Sequence, residues 1–135
     1  MRHLLRAGLM AAAATFLASA AAQAAPTDSP RRLPAGDCFS TRDWRGWSSP
    51  SGDVIYLKVR NNQVYRVDLY GSGPSLDRPG SFLVNQMRGS DRVCSTLDLD
   101  LAVADDLGFR MHLLPTGIAK LSPEEVAALP PKFRP

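Results

Sequence analysis

Residues 55–70, IYLKVRNNQVYRVDLY, decide the fold of this chain. Apolar or aromatic side chains occupy every second position on both sides of an asparagine pair at 61–62. The alternating positions are Ile55, Leu57 and Val59 before the pair and Tyr65, Val67 and Leu69 after it. Because successive side chains of a strand point to opposite faces, the stretch predicts two antiparallel strands that share one apolar face.

The faces also predict a register for this hairpin. We expect Val59 opposite Tyr65, Leu57 opposite Val67 and Ile55 opposite Leu69. This pairing leaves a three-residue connection, 61–63, and keeps Arg66 and Asp68 on the polar face. A two-residue turn at Asn61 and Asn62 has good local chemistry but mixes the faces. Burying two charged side chains would cost more than an imperfect turn, so the three-residue connection is favoured.

Further alternation predicts more short strands along the chain. Residues 97–103 alternate leucine and valine with Asp98 and Asp100, and residues 109–113 alternate Phe109, Met111 and Leu113 with Arg110 and His112. Asp105, Asp106 and Gly108 have the chemistry of a turn between these two runs. Shorter candidates lie at 82–86, 92–94 and 117–120. Period two therefore dominates most of the sequence.

A single helical signal stands near the end of the chain. Ser122 can cap a helix whose first position is Pro123, and Glu125 at the third position completes a capping box. The prolines at 130–131 stop the helix after about one turn. The sequence thus predicts a mainly β fold, a small antiparallel meander or partly open barrel with a short C-terminal helical turn. Its single β-rich domain spans 37–129, followed by a proline-rich tail at 130–135.

The first 24 residues have the pattern of a cleavable signal peptide. Two arginines precede a mostly alanine apolar run, and Ala22-Gln23-Ala24 is a small-x-small cleavage site. A retained anchor would need about 20 strongly apolar residues, and this run is shorter and weaker. We therefore expect export to the periplasm or medium, without a membrane span after signal cleavage. Residues 25–36, with three prolines and no apolar periodicity, predict a flexible leader.

Charge and cysteine usage narrow the class of protein. Arg2 and Arg6 account for two of the 16 basic side chains, and none of the 13 acidic ones lies in 1–24. The mature net charge is therefore about +1, which argues against nucleic acid as a partner. Cys38 and Cys94 predict a disulfide in an oxidising compartment. A two-ligand metal site or a reactive thiol is the alternative, but neither cysteine has a CxxC partner and the mature chain keeps one histidine, His112.

Several short motifs together resemble a family of small exported bacterial proteins known as a domain of unknown function. The motifs are Cys38-Phe39, the Tyr-x-Val-x-Leu run at 65–69, Val93-Cys94, an acidic strand and the closing Leu-Ser-Pro-Glu-Glu at 121–125. The resemblance covers residues 38–129. It implies a second cysteine pair in many members, whose positions fall near Gly73 and Leu113 in this chain. The resemblance implies no activity.

No familiar catalytic, cofactor-binding or metal-binding pattern emerges from the residues. Gly71-Ser72-Gly73 lacks the frame of a nucleophile elbow, and His112 alternates outward on its predicted strand. Four aspartates could suggest calcium, but an EF-hand's glycine and terminal glutamate are missing. These aspartates are Asp98, Asp100, Asp105 and Asp106. We interpret them as a solvated strand face and turn, and Glu124 with Glu125 as helix N-terminal acids.

One constellation supports a binding function. Arg42, Trp44, Arg45 and Trp47 could form a platform in which indoles stack on a sugar or guanidinium group. The structural alternative is that the tryptophans fill the small core beside Cys38. The sequence thus favours a non-catalytic envelope binding or structural module with a protein or glycan partner. The alternative is a periplasmic enzyme or enzyme inhibitor whose site is not recognisable from its motifs.

Overall fold

A computed structural model describes residues 29–71, 76–87 and 89–135. The signal-peptide prediction for 1–24 and the first residues of the expected leader lie outside these ranges. Within them the protein is mainly β, with antiparallel sheets and one short C-terminal helix, as predicted. The sheets do not close into a barrel. No helix in the described ranges has the length and apolarity needed to cross a membrane.

Antiparallel strands of the described chain form three sheets. The strands are β1 (Phe39–Ser40), β2 (Trp44–Ser51), β3 (Val54–Val59), β4 (Gln63–Leu69), β5 (Ser81–Asn85), β6 (Arg92–Val93), β7 (Leu101–Asp105), β8 (Arg110–His112) and β9 (Pro115–Lys120), followed by helix α1 (Pro123–Ala128). Sheet I has the order β2-β3-β4-β9, sheet II the order β5-β7-β8, and β1 pairs with β6. Short 3-10 turns occur at Ala35–Asp37, Thr41–Asp43, Arg60–Asn62, Thr96–Asp98 and Pro131–Phe133.

The central hairpin, β3 and β4, has the predicted faces but a different register. The observed pairs are Val59 with Gln63, Leu57 with Tyr65 and Ile55 with Val67. The predicted register is therefore wrong by two residues, because the connection is Arg60–Asn62. Asn61 and Asn62 adopt φ values of 62° and 57°, a left-handed conformation that asparagine tolerates. A shift of two keeps every side chain on its face, so the burial argument could not exclude it.

The segment expected to be a flexible leader instead packs along the fold from Ser29 onward. The Leu33 amide donates to the Cys94 carbonyl over 2.7 Å, and the Leu33 side chain is buried in the core. The Ile118 amide donates to the Pro30 carbonyl, also over 2.7 Å. These contacts bond residues 29–33, which we call the N-terminal strip, both to the β9 edge of sheet I and to the chain at Cys94.

Asp68 joins this strip to sheet I. Its Oδ2 accepts a hydrogen bond from the Ser29 amide over 2.8 Å, and its Oδ1 pairs with Arg66 Nε over 2.7 Å. Burial raises the pKa of Asp68, but the donors of Ser29 and Arg66 outweigh that effect and leave the pKa below 3.8. The predicted polar face is thus partly covered, and Asp68 is buried as a satisfied carboxylate.

The predicted disulfide is present and joins two halves of the chain. Cys38 and Cys94 are bonded across 56 positions of sequence, immediately beside the β1–β6 pairing of Phe39 with Val93. The Phe39 ring lies 4.4 Å from the Tyr65 ring, centroid to centroid. The bond therefore ties the start of the domain to the core between the sheets.

The predicted strand at 97–103 begins only at Leu101. Thr96–Asp98 is a 3-10 turn, and Leu97, expected to face the core, is 90% exposed. Asp98 Oδ2 accepts hydrogen bonds from the Cys94 and Ser95 amides and from the Ser95 hydroxyl. Burial raises the pKa of Asp98, but the hydrogen bonds from these donors have the larger effect, so the pKa is lowered overall. Local capping chemistry overrides the alternation here, and the placement of Asp98 on a strand face is wrong.

The C-terminal end agrees with its sequence signal. Ser122 Oγ accepts from the Glu125 amide over 3.2 Å, and Glu125 Oε2 accepts from the Ser122 amide over 2.7 Å, which completes the capping box. The proline-rich tail then packs back on β2, where the Ser48 hydroxyl donates to the Phe133 carbonyl over 2.6 Å.

Candidate functional site: a cleft between the two sheets

The two tryptophans of the expected platform lie on the core face of β2. Trp44 is opposite Val59 and Trp47 is opposite Leu57, although a spacing of three should place them on opposite faces. A register irregularity between Trp44 and Gly46 supplies the extra residue that restores the common face. Both indoles are half-buried and pack against the core, and the Trp44 ring nitrogen donates to the Gly46 carbonyl over 2.8 Å.

The arginines of the same segment lie outside this packing. Arg42 Nε pairs with Asp91 Oδ2 over 3.0 Å at the surface, and Arg45 is exposed. Because the indoles contact the core, part of the stacking surface that a platform needs is already covered. The arrangement favours the structural alternative for Trp44 and Trp47.

A different surface combines exposure with apolar character: an open end between sheet I and sheet II. On the inner face of sheet II, Leu101 is completely buried and Leu113 packs against the core. Exposure then rises along β8, to 38% for Met111 and 58% for Phe109. The inner face of sheet II therefore continues past the part that sheet I covers.

This uncovered end forms a cleft of about 490 Å³, which we call the intersheet cleft. Its opposite wall comes from the end of β4, where Tyr70 is 78% exposed and its amide donates to the Leu114 carbonyl over 2.8 Å. Leu114 is 64% exposed beside it. The large apolar side chains that line the cleft are Leu69, Tyr70, Leu76, Phe109, Met111, Leu113 and Leu114.

Among the described residues, some polar groups of the intersheet cleft are hydrogen-bonded within the protein, and others are not. The Ser81 hydroxyl donates to the carbonyls of Leu76 and Arg78, over 3.0 and 2.7 Å. Asp105 Oδ1 accepts from the amides of Leu107 and Phe109, over 3.0 and 2.9 Å. These bonds shape the two turns at the mouth of the cleft. Arg78 is one of the residues that line the cleft, and its guanidinium has no ion-pair partner among the described residues.

Of the residues considered for chemistry, Asp105 and His112 line the intersheet cleft, while Asp98 and Asp106 lie outside it. His112 is exposed on β8, as its alternation predicted, and Asp98 serves the turn beside the disulfide. Asp105 caps its own hairpin, and Asp106 is exposed in the same turn. Across 29–71, 76–87 and 89–135, histidine, cysteine and carboxylate groups do not assemble a set of three that could hold a metal ion. The cleft therefore offers mainly apolar surface to a ligand, with a few polar groups beside it.

Sequence reasoning did not find the intersheet cleft. The alternation placed Phe109 and Met111 on the inner face, which is correct, but it could not tell that sheet I ends before reaching them. Tyr70 offered a weak signal, since it is a large aromatic on the polar side of its strand immediately before Gly71.

Comparison of the chain with protein-family models, curated proteins and solved structures finds no match.

Proposed function

We propose that this protein is an exported, non-catalytic binding module of the cell envelope that holds an apolar ligand surface in the intersheet cleft. The observation that carries the proposal is the open cleft of about 490 Å³ lined by exposed large apolar side chains. Small-molecule sites commonly measure about 300 to 1,000 Å³ and combine apolar walls with a few polar groups. The cleft has both properties.

The exposed apolar side chains of the intersheet cleft are the second support for a binding function. Tyr70, Phe109 and Leu114 each leave more than half of their surface in water, and all three line the same cleft. Scattered exposed apolar residues are normal on a soluble protein, but a contiguous apolar concavity marks a binding surface. A ligand that covers these side chains would gain about 25 cal/mol of binding free energy for each Å² of apolar surface removed from water.

The envelope location is supported by two independent features. Residues 1–24 have the signal-peptide pattern, and the Cys38–Cys94 disulfide is consistent with an oxidising compartment. Mass spectrometry of the exported protein should find the N-terminus at or within a few residues of Ala25. Recovery of intact Met1 in the membrane fraction would contradict export as a soluble module.

The binding function can be tested with a neutral, environment-sensitive dye, N-phenyl-1-naphthylamine, titrated into the mature protein. We expect saturable binding that the Phe109→Ala variant weakens about five- to tenfold, because the ring forms part of the cleft. Phe82→Ala is the matched control, since Phe82 is 46% exposed on the outer face of sheet II and does not line the cleft. Non-saturable binding, or equal losses in both variants, would refute the cleft as the site.

A further inference from the structure

We infer that the ligand of the intersheet cleft is a small amphipathic monoanion, with an acyl or aryl body against the apolar walls and a carboxylate paired with Arg78. This inference rests on the proposed function and adds the chemical class of the ligand. It follows from Arg78, the one arginine or lysine among the described cleft-lining residues, and from Asp105 in the same lining.

Arg78 is held in place through its backbone while its side chain is left available. The Arg78 carbonyl accepts from the Ser81 amide over 2.9 Å and from the Ser81 hydroxyl over 2.7 Å, which fixes the turn before β5. Elsewhere on the surface, Arg42 and Arg60 each pair with an aspartate. Arg78 makes no such pair in the described chain. A guanidinium fork matches a carboxylate in two parallel hydrogen bonds, so it is well suited to this group.

Asp105 argues for a single negative charge on the ligand. Asp105 lines the same cleft, and its Oδ1 accepts two amide hydrogen bonds from Leu107 and Phe109. Those donors compensate part of its charge, but it still repels a second anionic charge placed nearby. Arg78 and Asp105 together make the cleft complementary to a monoanion and less suited to a dianion such as a phosphate monoester.

The rest of the intersheet cleft fits the body of such a ligand. Tyr70 and Phe109 offer aromatic faces, and Met111 and Leu114 offer flexible aliphatic contacts at the same opening. An apolar chain or ring in this space is removed from water on two sides, by the inner face of sheet II and by the end of β4. An amphipathic ligand can therefore bury its apolar part while its charged end remains at the mouth beside Arg78.

The test is displacement of N-phenyl-1-naphthylamine from the mature protein by four ten-carbon competitors at pH 7.5. The competitors are decanoate, 1-decanol, decyl phosphate and decyltrimethylammonium. We expect decanoate to compete about tenfold more strongly than 1-decanol, because only the carboxylate pairs with Arg78. Arg78→Gln should reduce decanoate to the level of 1-decanol and leave 1-decanol unchanged. Arg110→Gln, which removes an exposed cation of β8 outside the cleft, should leave both unchanged.

The outcomes separate this inference from the proposed function. If 1-decanol displaces the dye as well as decanoate does, or if Arg78→Gln leaves decanoate binding unaltered, the anionic ligand class is refuted while an apolar cleft remains. Tighter binding of decyl phosphate than of decanoate would overturn the monoanion assignment, and preference for decyltrimethylammonium would overturn the charge. Failure of the dye and of 1-decanol to bind would refute the proposed function itself.

Discussion

Gly117→Ala should destabilise the protein by about 2 to 4 kcal/mol, because the N-terminal strip lies against this glycine. A Cβ built on Gly117 would overlap the Ser29 carbonyl oxygen and lie 3.0 Å from Asp68 Oδ2. The backbone of the strip cannot yield as a flexible side chain would, so Ser29 and Pro30 must move away from β9. The substitution therefore tests the packing of the segment that the sequence predicted to be a flexible leader.

The magnitude follows from two hydrogen bonds that this movement breaks. The Ser29 amide donates to the Asp68 carboxylate over 2.8 Å, and the Ile118 amide donates to the Pro30 carbonyl over 2.7 Å. A bond to a charged group contributes about 1.5 to 3 kcal/mol and a neutral one about 0.5 to 1.5 kcal/mol. The lower entropy of alanine in the unfolded chain offsets less than about 1 kcal/mol of this loss.

Urea unfolding followed by tryptophan fluorescence measures the change. Gly46→Ala is the control, because a Cβ there meets nothing within 4 Å and the substitution lies in a strand of the same sheet. In addition, the pKa of Asp68 should rise toward its usual value once the Ser29 donors are lost. A Gly117→Ala protein within about 0.5 kcal/mol of wild type would show that the strip does not pack on β9 as described.

Three further changes test the scaffold. Replacing Cys38 and Cys94 together with serine should lower the free energy of unfolding by about 4 kcal/mol, since the bond closes a loop of 56 positions. If a reductant leaves the unfolding midpoint of the wild-type protein unchanged, this prediction is wrong. Trp47→Ala should lower the free energy of unfolding by about 3 kcal/mol through lost core packing. A nearly unchanged stability in chemical unfolding would instead support the platform hypothesis. Because the folded pKa of Asp68 is lowered, its contribution to stability is complete above about pH 4 and is lost as the pH falls through that folded pKa. Asp68→Asn should therefore flatten the acid limb of a stability profile measured from about pH 6 to pH 3, and an unchanged limb would assign acid unfolding to other carboxylates.

Local patterns determined most of the secondary structure but not its pairing. Alternation identified β3, β4 and β8 and their apolar faces, and the capping box identified the start of α1. The same alternation was misleading at Leu97, because Ser95 and Asp98 form a capped turn there. The hairpin register was wrong by two residues because such a shift leaves both faces unchanged, and only the left-handed asparagines locate the turn.

The position of the candidate site could not be predicted from the pattern of residues along the chain. The sequence left open whether Trp44 and Trp47 pack in the core or form a platform, and their common face depends on an irregularity in β2 that no spacing shows. Phe109 and Met111 were assigned to the correct inner face. Their exposure depends on how far sheet I extends over sheet II, which is a property of the two sheets together.

By itself, the sequence determined the mainly β class, the Cys38–Cys94 bond, the two faces of the central hairpin and the C-terminal helix. Each of these follows from residues near one another in sequence or from a count of two cysteines. Only the tertiary structure decided that Leu33 completes the core and that Phe109 lines an open cleft. Both outcomes depend on contacts between segments far apart along the chain, and burial is a property of such contacts rather than of any residue's local pattern.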